Sequence, residues 1–260
     1  MRRIAILAAM EQEIADLRRT MVVDESASTE SWPRTGGRHY LAGTLWDVPV
    51  VLAWSRWGKV AAAVTTTHVL AMYDPSHVVF TGVAGSLRPG VAVGDVVVAE
   101  SLVQHDMDAS PLYPRHEVPL LGVSAFAADP QLSARLRAAA RRFLDADLVG
   151  DVPAATRARF AITEPTVHVG QIASGDRFVS GAETVGLLRE QVPQALCVEM
   201  EGAAAAQVCH EHEVPFSALR IISDVADDNA HVDFAAFLHE VATRYSYGVL
   251  RHLVQGFHER

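Results

Sequence analysis

The chain has 260 residues, half of them hydrophobic and a fifth charged, and its formal net charge is −9. This length suits one globular domain over residues 1–260. The acidic balance, without a basic block, argues against a nucleic-acid-binding protein and gives little attraction to an anionic membrane. No stretch approaches the ~18 apolar residues of a transmembrane helix. Cys197 and Cys209 fit buried free thiols, so we expect a cytoplasmic protein.

Strand-like and helix-like segments alternate along the chain. Apolar runs predict strands over residues 4–9, 38–42, 48–54, 77–81, 95–104, 166–173 and 216–223. Helical spacing of apolar residues predicts helices over residues 11–21, 58–73, 129–145, 182–191, 201–211 and 234–257. Residues 24–37, 105–119 and 148–165 have little regular pattern and are interpreted as loops or insertions. The alternation predicts a largely parallel sheet with helices on both faces.

Four polar or glycine-bearing segments fall at the ends of predicted strands or the starts of predicted helices. They are Ala-Met-Glu-Gln-Glu at 9–13, Thr-Gly-Val-Ala-Gly-Ser at 81–86, Val-Glu-Met-Glu at 198–201 and Ser-Asp at 223–224. Each also has a purely structural interpretation, because acids favour the first turn of a helix, aspartate caps helices and glycine turns the chain. Ligands of such sheets bind beyond the carboxyl ends of the strands, so the shared location favours a binding crevice.

Metal and cofactor motifs do not explain these segments. The run Cys-His-Glu-His at 209–212 lacks the spacing of a zinc-binding pair. Gly82-x-x-Gly85 matches neither a dinucleotide fingerprint nor a phosphate-binding loop, which needs a following lysine. We therefore expect neither a metal nor a cofactor, and interpret the glycines as a place where backbone approaches a small ligand.

Seven motifs, taken together, resemble those of the 5′-methylthioadenosine/S-adenosylhomocysteine nucleosidases of the nucleoside phosphorylase superfamily. They are the segments 9–13, 58–63 (Gly-Lys-Val-Ala-Ala-Ala), 81–85, 93–98 (Val-Gly-Asp-Val-Val-Val), 174–178 (Ser-Gly-Asp-Arg-Phe), 198–201 and 220–227 (Arg-Ile-Ile-Ser-Asp-Val-Ala-Asp). Their order and approximate spacing agree from end to end, although residues 24–37 and 148–165 look long. The resemblance implies a three-layer α/β/α fold around a mixed, largely parallel twisted sheet, hydrolysis that releases adenine, no cofactor and a homodimer.

The resemblance also implies catalytic roles for four residues. Glu13 would activate the attacking water, and Arg220 would help to hold that water. Asp224 would protonate adenine N7, assisted by Ser223. This division suits the chemistry, because breaking an N-glycosidic bond builds positive charge on the sugar and negative charge on the leaving base.

Substrate-binding roles follow from the same resemblance. Glu201 would hold the two ribose hydroxyls beside Met200, Phe178 would stack on the purine, and the backbone of Val179 would read the edge of the base. The remaining three residues would border the ribose and the 5′ substituent: Met10, Trp57 and Phe234.

Two positions depart from the family pattern. Val83 stands where well-known members carry serine, and Trp57 replaces a smaller aliphatic residue beside the 5′ pocket. A bulky ring at that place could narrow or reshape the pocket. The sequence therefore leaves the 5′ substituent open among methylthio, homocysteinyl, deoxy and aminofutalosine-type groups.

Two other functions remain compatible with parts of the pattern. A purine nucleoside phosphorylase could share the fold, but it needs arginines or a helix N-terminus for phosphate where this chain has Met10-Glu11-Gln12-Glu13. A non-catalytic nucleoside sensor would keep Phe178 and Glu201 but would not need Glu13 and Asp224 together. The proline-bearing segment 111–119 could reach the pocket of a partner subunit.

Overall fold

The computed structural model describes residues 2–28, 37–224 and 234–257, so most of the predicted loop 24–37 lies outside it. The strands in these ranges are β1 Ile4–Ala8, β2 Val22–Val23, β3 Tyr40–Leu45, β4 Val48–Trp54, β5 His77–Ser86, β6 Val96–Gln104, β7 Phe126–Ala127, β8 Val167–Ser174, β9 Ala195–Glu199 and β10 Phe216–Asp224. The helices are α1 Ala15–Thr20, α2 Lys59–Tyr73, α3 Pro130–Arg142, α4 Leu148–Asp151, α5 Ala154–Arg159, α6 Ala182–Gln191, α7 Gly202–Glu211, α8 Phe234–Phe237 and α9 Thr243–Gln255. None of the helices in the described ranges is long and apolar enough to cross a membrane.

Three short helical turns adjoin these helices. A 3-10 turn Glu11–Ile14 precedes α1, and π-helical turns Phe143–Asp147 and Leu238–Ala242 follow α3 and α8. Asp129 starts α3 by accepting a hydrogen bond from the Leu132 amide at 2.7 Å, and Pro130 fits the first turn because its missing N–H has no helical partner.

All ten strands belong to one mixed sheet, part of which closes on itself. Strand β5 pairs with β1, β9 and β10, and the pairings β10–β6, β6–β8 and β8–β9 complete a ring of five strands. Strands β1, β4, β3 and β2 extend from β5 as an open wing. The pairs β1–β4, β1–β5, β5–β10, β6–β8 and β8–β9 are parallel, and the others are antiparallel. The predicted α/β fold with a mixed sheet is confirmed, and closure of the ring is an additional feature.

Helices cover both faces of the sheet. The side chains of β1 point alternately to the two faces and are buried on both. Ile4, Ile6 and Ala8 pack in one core with residues of α1, α3 and α9. Ala5 and Leu7 point the other way and pack with α2 and α7. A strand buried on both faces is apolar throughout, which is why residues 4–8 show no polar alternation.

Strand pairing brings three of the four candidate segments side by side. In the parallel β5–β10 register, Arg220 pairs with Gly82 and Asp224 pairs with Gly85. Strand β9 runs antiparallel to β5, and Val198 pairs with Gly85. The carboxyl ends of β9 and β10 therefore meet across the last residues of β5.

Three details differ from the sequence predictions. The strand predicted to end at residue 81 continues through Gly82–Gly85 to Ser86, because backbone pairing with β10 and β9 uses the glycine segment as strand rather than turn. Strand β9 was not predicted, because it is only five residues long and its last two residues belong to the acidic segment 198–201. Residues 148–165 contain α4 and α5 instead of an irregular insertion.

Candidate active site

A cleft of about 590 Å³, counting the space open to solvent at its mouth, lies where these segments meet. Of the twelve residues predicted from the sequence, eleven line the cleft: Met10, Glu13, Trp57, Val83, Phe178, Val179, Met200, Glu201, Ser223, Asp224 and Phe234. The twelfth, Arg220, does not. The lining also includes six residues to which no role was assigned: Ala9, Ala84, Gly85, Arg177, Val198 and Glu199.

Glu13 is a buried carboxyl group held by backbone amides. The chain leaves β1 in an extended conformation at Met10 and enters the 3-10 turn, which carries Glu13 back toward the strand end. Its Oε2 accepts hydrogen bonds from the amides of Ala9 at 3.0 Å and Met10 at 2.9 Å, and its Oε1 accepts one from Val83 at 3.2 Å. Burial raises the pKa of Glu13 above its usual value, although these donors and Arg220 oppose the shift.

Gly82 leaves the space that the Glu13 carboxyl group occupies. A Cβ atom at position 82 would lie 2.8 Å from Glu13 Oε1, closer than side-chain carbons approach an oxygen. The glycine segment therefore has a defined structural purpose, which is close approach of β5 to a carboxylate. The absent hydroxyl at Val83 does not affect this contact, because Val83 uses its backbone amide.

Glu201 is a second buried carboxyl group, at the residue that precedes α7. Its Oε1 accepts a hydrogen bond from the Gly58 amide at 2.7 Å. Gly58 has a φ of +95°, which strongly favours glycine and turns this amide toward Glu201 before α2 begins. Burial, and then the neighbouring Glu199 carboxylate, raises the pKa of Glu201 to about 8.

Glu199 and Arg220 form a buried ion pair behind the cleft. Arg220 is 1% exposed, and its Nη2 donates to Glu199 Oε2 at 2.6 Å. Its Nη1 donates to the carbonyl oxygens of Phe80 and Leu219. Glu199 also accepts hydrogen bonds from the Ser174 hydroxyl and from the amides of Glu201 and Gly202. Arg220 is thus committed to Glu199 and to backbone, and its predicted direct contact with a water molecule stays a prediction.

Asp224 and Ser223 close the opposite wall at the end of β10. The Ser223 hydroxyl lies 2.6 Å from Asp224 Oδ2 and 3.4 Å from the carbonyl oxygen of Ala84. Since Ser223 has one proton to donate, the shorter contact to the carboxyl group takes it. The serine therefore orients the aspartate toward the cleft.

Three aromatic rings form the outer wall. Phe234 makes edge-to-face contacts with Trp57 at a centroid distance of 6.5 Å and with Phe178 at 6.1 Å. Trp57 is 55% exposed and Phe178 is 42% exposed. Such rings offer flat apolar surface to a base or a sugar substituent. No group of three or more histidine, cysteine or acidic side chains among the described residues is arranged to hold a metal ion.

Carboxyl groups in an aromatic-walled cleft suit a neutral, hydroxyl-rich ligand with a planar ring. Comparison with known proteins identifies the class to which this protein belongs. The model of the family described as the Phosphorylase superfamily matches residues 3–254. The chain belongs to this superfamily.

Similar proteins of known name indicate which family of the superfamily the chain belongs to. The chain is 34% identical over 252 residues to a 5′-methylthioadenosine/S-adenosylhomocysteine nucleosidase of Hydrogenovibrio crunogenus, covering 96% of this chain and 97% of the relative. The nucleosidase of the same name from Neisseria meningitidis, solved with methylthio-immucillin-A, has a TM-score of 0.83 and 34% identity over 98% of this chain and 100% of that chain. Within the superfamily, the chain belongs to the 5′-methylthioadenosine/S-adenosylhomocysteine nucleosidase family.

A futalosine hydrolase is also structurally similar. The native structure of this enzyme from Helicobacter pylori has a TM-score of 0.80 and 32% identity, covering 98% of both chains. The two kinds of relative share the fold at nearly equal similarity, so the overall structure does not distinguish between 5′ substituents.

Proposed function

We propose that this protein hydrolyses the N-glycosidic bond of 5′-methylthioadenosine, S-adenosylhomocysteine or a related 5′-substituted adenosine, and releases adenine. The observation that carries the proposal is the convergence of Glu13, Glu201 and Asp224, from distant parts of the sequence, on one cleft. Membership of the nucleosidase family supports the same reaction.

Departure of the base begins at Asp224. A proton donated by its carboxyl group to adenine N7 neutralises the negative charge that develops as the C–N bond breaks. Ser223 holds the carboxyl group in place, and Phe178 stacks on the purine beside the backbone of Val179. Cleavage then leaves positive charge on the ribose, which the surrounding carboxylates stabilise.

Glu13 activates the water that attacks the ribose. Its amide contacts fix the carboxylate against the cleft wall, and burial raises its pKa toward the range in which a base works at neutral pH. Arg220 acts through Glu199, which it orients, and its positive charge counters the accumulated carboxylates.

Glu201 binds the two ribose hydroxyls, next to Met200. Its Oε1 is already held by the Gly58 amide, so the carboxyl group is oriented before substrate arrives. Met10 and Phe234 border the sugar, and Trp57 borders the 5′ substituent.

Hydrolysis fits the cleft better than phosphorolysis. A phosphorylase must hold an anionic phosphate at the nucleophile position. Glu13 occupies that position here, and Arg220, whose charge reaches Glu13, is paired with Glu199. A carboxylate facing phosphate repels it, whereas a water molecule needs a base.

The test is adenine release from 5′-methylthioadenosine in phosphate-free buffer. We expect wild-type turnover without phosphate, free sugar as product, and a loss of about 10²-fold or more in kcat for Asp224→Asn and for Glu13→Gln. Glu11→Gln is the matched control, since Glu11 lies on the same turn and pairs with Arg18 at the surface. Near-normal kcat in either active-site variant, or ribose 1-phosphate as product, would overturn the proposal.

The same proposal includes residues 1–260 acting as one domain, in the cytoplasm and as a homodimer. Both free cysteines, Cys197 and Cys209, are buried, and burial raises the pKa of each thiol, which suits a compartment without disulfides. Leu112 is 84% exposed on the segment 111–119, which is predicted to reach a partner, and Leu120, directly after it, is 94% exposed. Exposed apolar side chains on one segment mark a surface for association.

A further inference from the structure

Arg177 is the basic side chain in a cleft whose other charged groups are all acidic. Among the described residues that line the cleft, the ionisable ones are Glu13, Glu199, Glu201, Asp224 and Arg177. Arg177 is exposed, and within the described ranges it makes no hydrogen bond or ion pair. An arginine at the rim of an acidic cleft is therefore available to a ligand.

The backbone beside Arg177 is fixed next to the Trp57 side of the mouth. The Asp176 amide donates to Asp106 Oδ2 at 2.9 Å, and Asp176 Oδ1 accepts from the Lys59 amide at 2.7 Å. A Cβ atom at Gly58 would lie 3.0 Å from that same Oδ1, so the two chain segments are in direct contact. Arg177 and Trp57 are the sequence neighbours of Asp176 and Gly58 in this contact, and both line the cleft.

The 5′ substituent of a bound nucleoside leaves the cleft through this mouth. This step rests on the proposed function, in which Asp224 holds the base and Glu201 holds the ribose hydroxyls. Glu201 is buried and Asp224 is half-buried, whereas Trp57 is the most exposed aromatic ring of the lining. A substituent longer than methylthio therefore passes Trp57 and enters the surroundings of Arg177.

We propose that Arg177 is a specificity-determining residue that binds a carboxylate at the end of the 5′ substituent. The guanidinium group presents paired N–H donors that match a carboxylate. The exposed face of Trp57 covers the apolar stem of the substituent, whether aliphatic or aromatic. The protein thus favours acid-bearing 5′ substituents over their uncharged counterparts.

The experiment compares two matched pairs of substrates. The aliphatic pair is S-adenosylhomocysteine and 5′-(3-aminopropylthio)adenosine, which lacks only the carboxylate. The aromatic pair is 5′-(carboxyphenylthio)adenosine and 5′-(phenylthio)adenosine. For each pair, kcat/KM of the substrate with the carboxylate is divided by kcat/KM of the substrate without it. This ratio is measured for wild type, Arg177→Gln and Arg177→Lys. The variant Arg137→Gln, on α3, is the control for loss of an exposed arginine elsewhere.

We expect Arg177→Gln to lower this ratio about fivefold in at least one pair, near the upper end of what an exposed ion pair contributes, through KM. Arg177→Lys restores part of the ratio and Arg137→Gln leaves it unchanged. Added salt reduces the ratio in every protein that keeps a cation at position 177, and not in Arg177→Gln. The pair that responds identifies the substituent as aliphatic or aromatic. An unchanged ratio in both pairs, or equal losses with and without the carboxylate, overturns the inference.

Failure of the proposed function would be visible separately. If wild type releases no adenine from any of the four nucleosides, the hydrolase proposal is wrong. The dissociation constants of the same four compounds, measured by calorimetry, then give the same ratio and decide the role of Arg177 on their own.

Discussion

Glu13 occupies space that only a glycine at position 82 leaves open, so a single methyl group should disturb the nucleophile side of the site. We predict that Gly82→Ala displaces the Glu13 carboxyl group, because its Cβ would lie 2.8 Å from Oε1, and lowers kcat tenfold or more. Gly186→Ala on α6 is the control, since nothing lies within 4 Å of an added Cβ there. Steady-state adenine release, with circular dichroism to check folding, measures the effect; equal activity of the two variants would contradict the prediction.

Glu201 couples stability to pH. Burial and Glu199 raise its pKa from 4.5 to about 8, so the folded protein holds this proton more tightly than the unfolded chain does. The contribution to stability is complete below pH ~4.5 and is lost as pH rises through about 8, on the order of 4 kcal/mol at most. We predict that Tm of the unliganded protein falls from pH 5 to 8.5 in wild type and falls less in Glu201→Gln.

Thermal unfolding across that pH range measures this effect. The exposed Glu190, on α6, supplies the control variant Glu190→Gln, which should follow wild type. Parallel Tm curves for wild type and Glu201→Gln would show that Glu201 does not titrate as its burial implies.

Ion pairs between elements hold the two sides of the cleft together. Lys59 Nζ, at the start of α2, donates to Asp106 Oδ1 at 2.6 Å, just after β6, and to Oε1 of Gln104, the last residue of β6, at 3.1 Å. Asp106 Oδ2 accepts from the Asp176 amide, just before Phe178. The carboxylate of Asp106 therefore links α2, which begins directly after the Gly58 amide that Glu201 binds, to the segment that carries Phe178.

We predict that Asp106→Asn raises KM about tenfold with little change in kcat, because an amide has one acceptor oxygen and must leave Lys59 or Asp176 without its hydrogen bond. A second substitution, Lys59→Met, should add little to the variant, as expected for residues of one network. Asp108→Asn, two residues away on an exposed loop, is the control. A fall in kcat with unchanged KM, or additive effects of the two substitutions, would refute this positioning role.

The strands of the structure show which parts of the fold could be predicted from the sequence. Apolar runs predicted β1, β4, β6 and β8 well, because buried strands and helices differ in length and periodicity. The prediction placed all candidate acids at the carboxyl edge of parallel strands. Glu199 instead ends β9, and Glu201 lies two residues beyond it. Strand β9 runs antiparallel to β5, and pairing of Val198 with Gly85 brings both acids to the site. Non-local strand pairing of this kind has no signature in local periodicity.

The site itself was predicted from motif resemblance rather than from pattern. Eleven of the twelve predicted residues line the cleft, and Arg220 lies behind it. Acid-rich motifs next to one another do not reveal which carboxyl group faces a ligand and which faces an arginine. Glu199 received no role for this reason, although its contacts with Ser174, Gly202 and Arg220 organise the wall. Arg177 was missed because a lone surface arginine carries no local signal.

At the scale of the whole molecule, the exposed leucines predict how copies associate. We expect Leu120→Asp to shift the proposed homodimer toward monomer, because Leu120 is 94% exposed and a buried charge at an interface is costly. Its φ of +66° also suits aspartate, so folding should be unaffected. Val149→Asp, at a site 70% exposed on α4, is the control, and sedimentation velocity gives the oligomeric state. A wild-type monomer, or a Leu120→Asp dimer of unchanged affinity, would contradict the prediction.

The closed ring of strands also has a consequence for colloidal behaviour. Each of the five strands in the ring is hydrogen-bonded to a strand on both sides. The strands at the two margins of the described sheet are β2 and β7, and each is only two residues long. Long, flat margins are the places where unrelated chains add strands and start fibrils. The described sheet of this protein therefore has little unpaired strand edge that could start aggregation, even though half of the residues of the chain are hydrophobic.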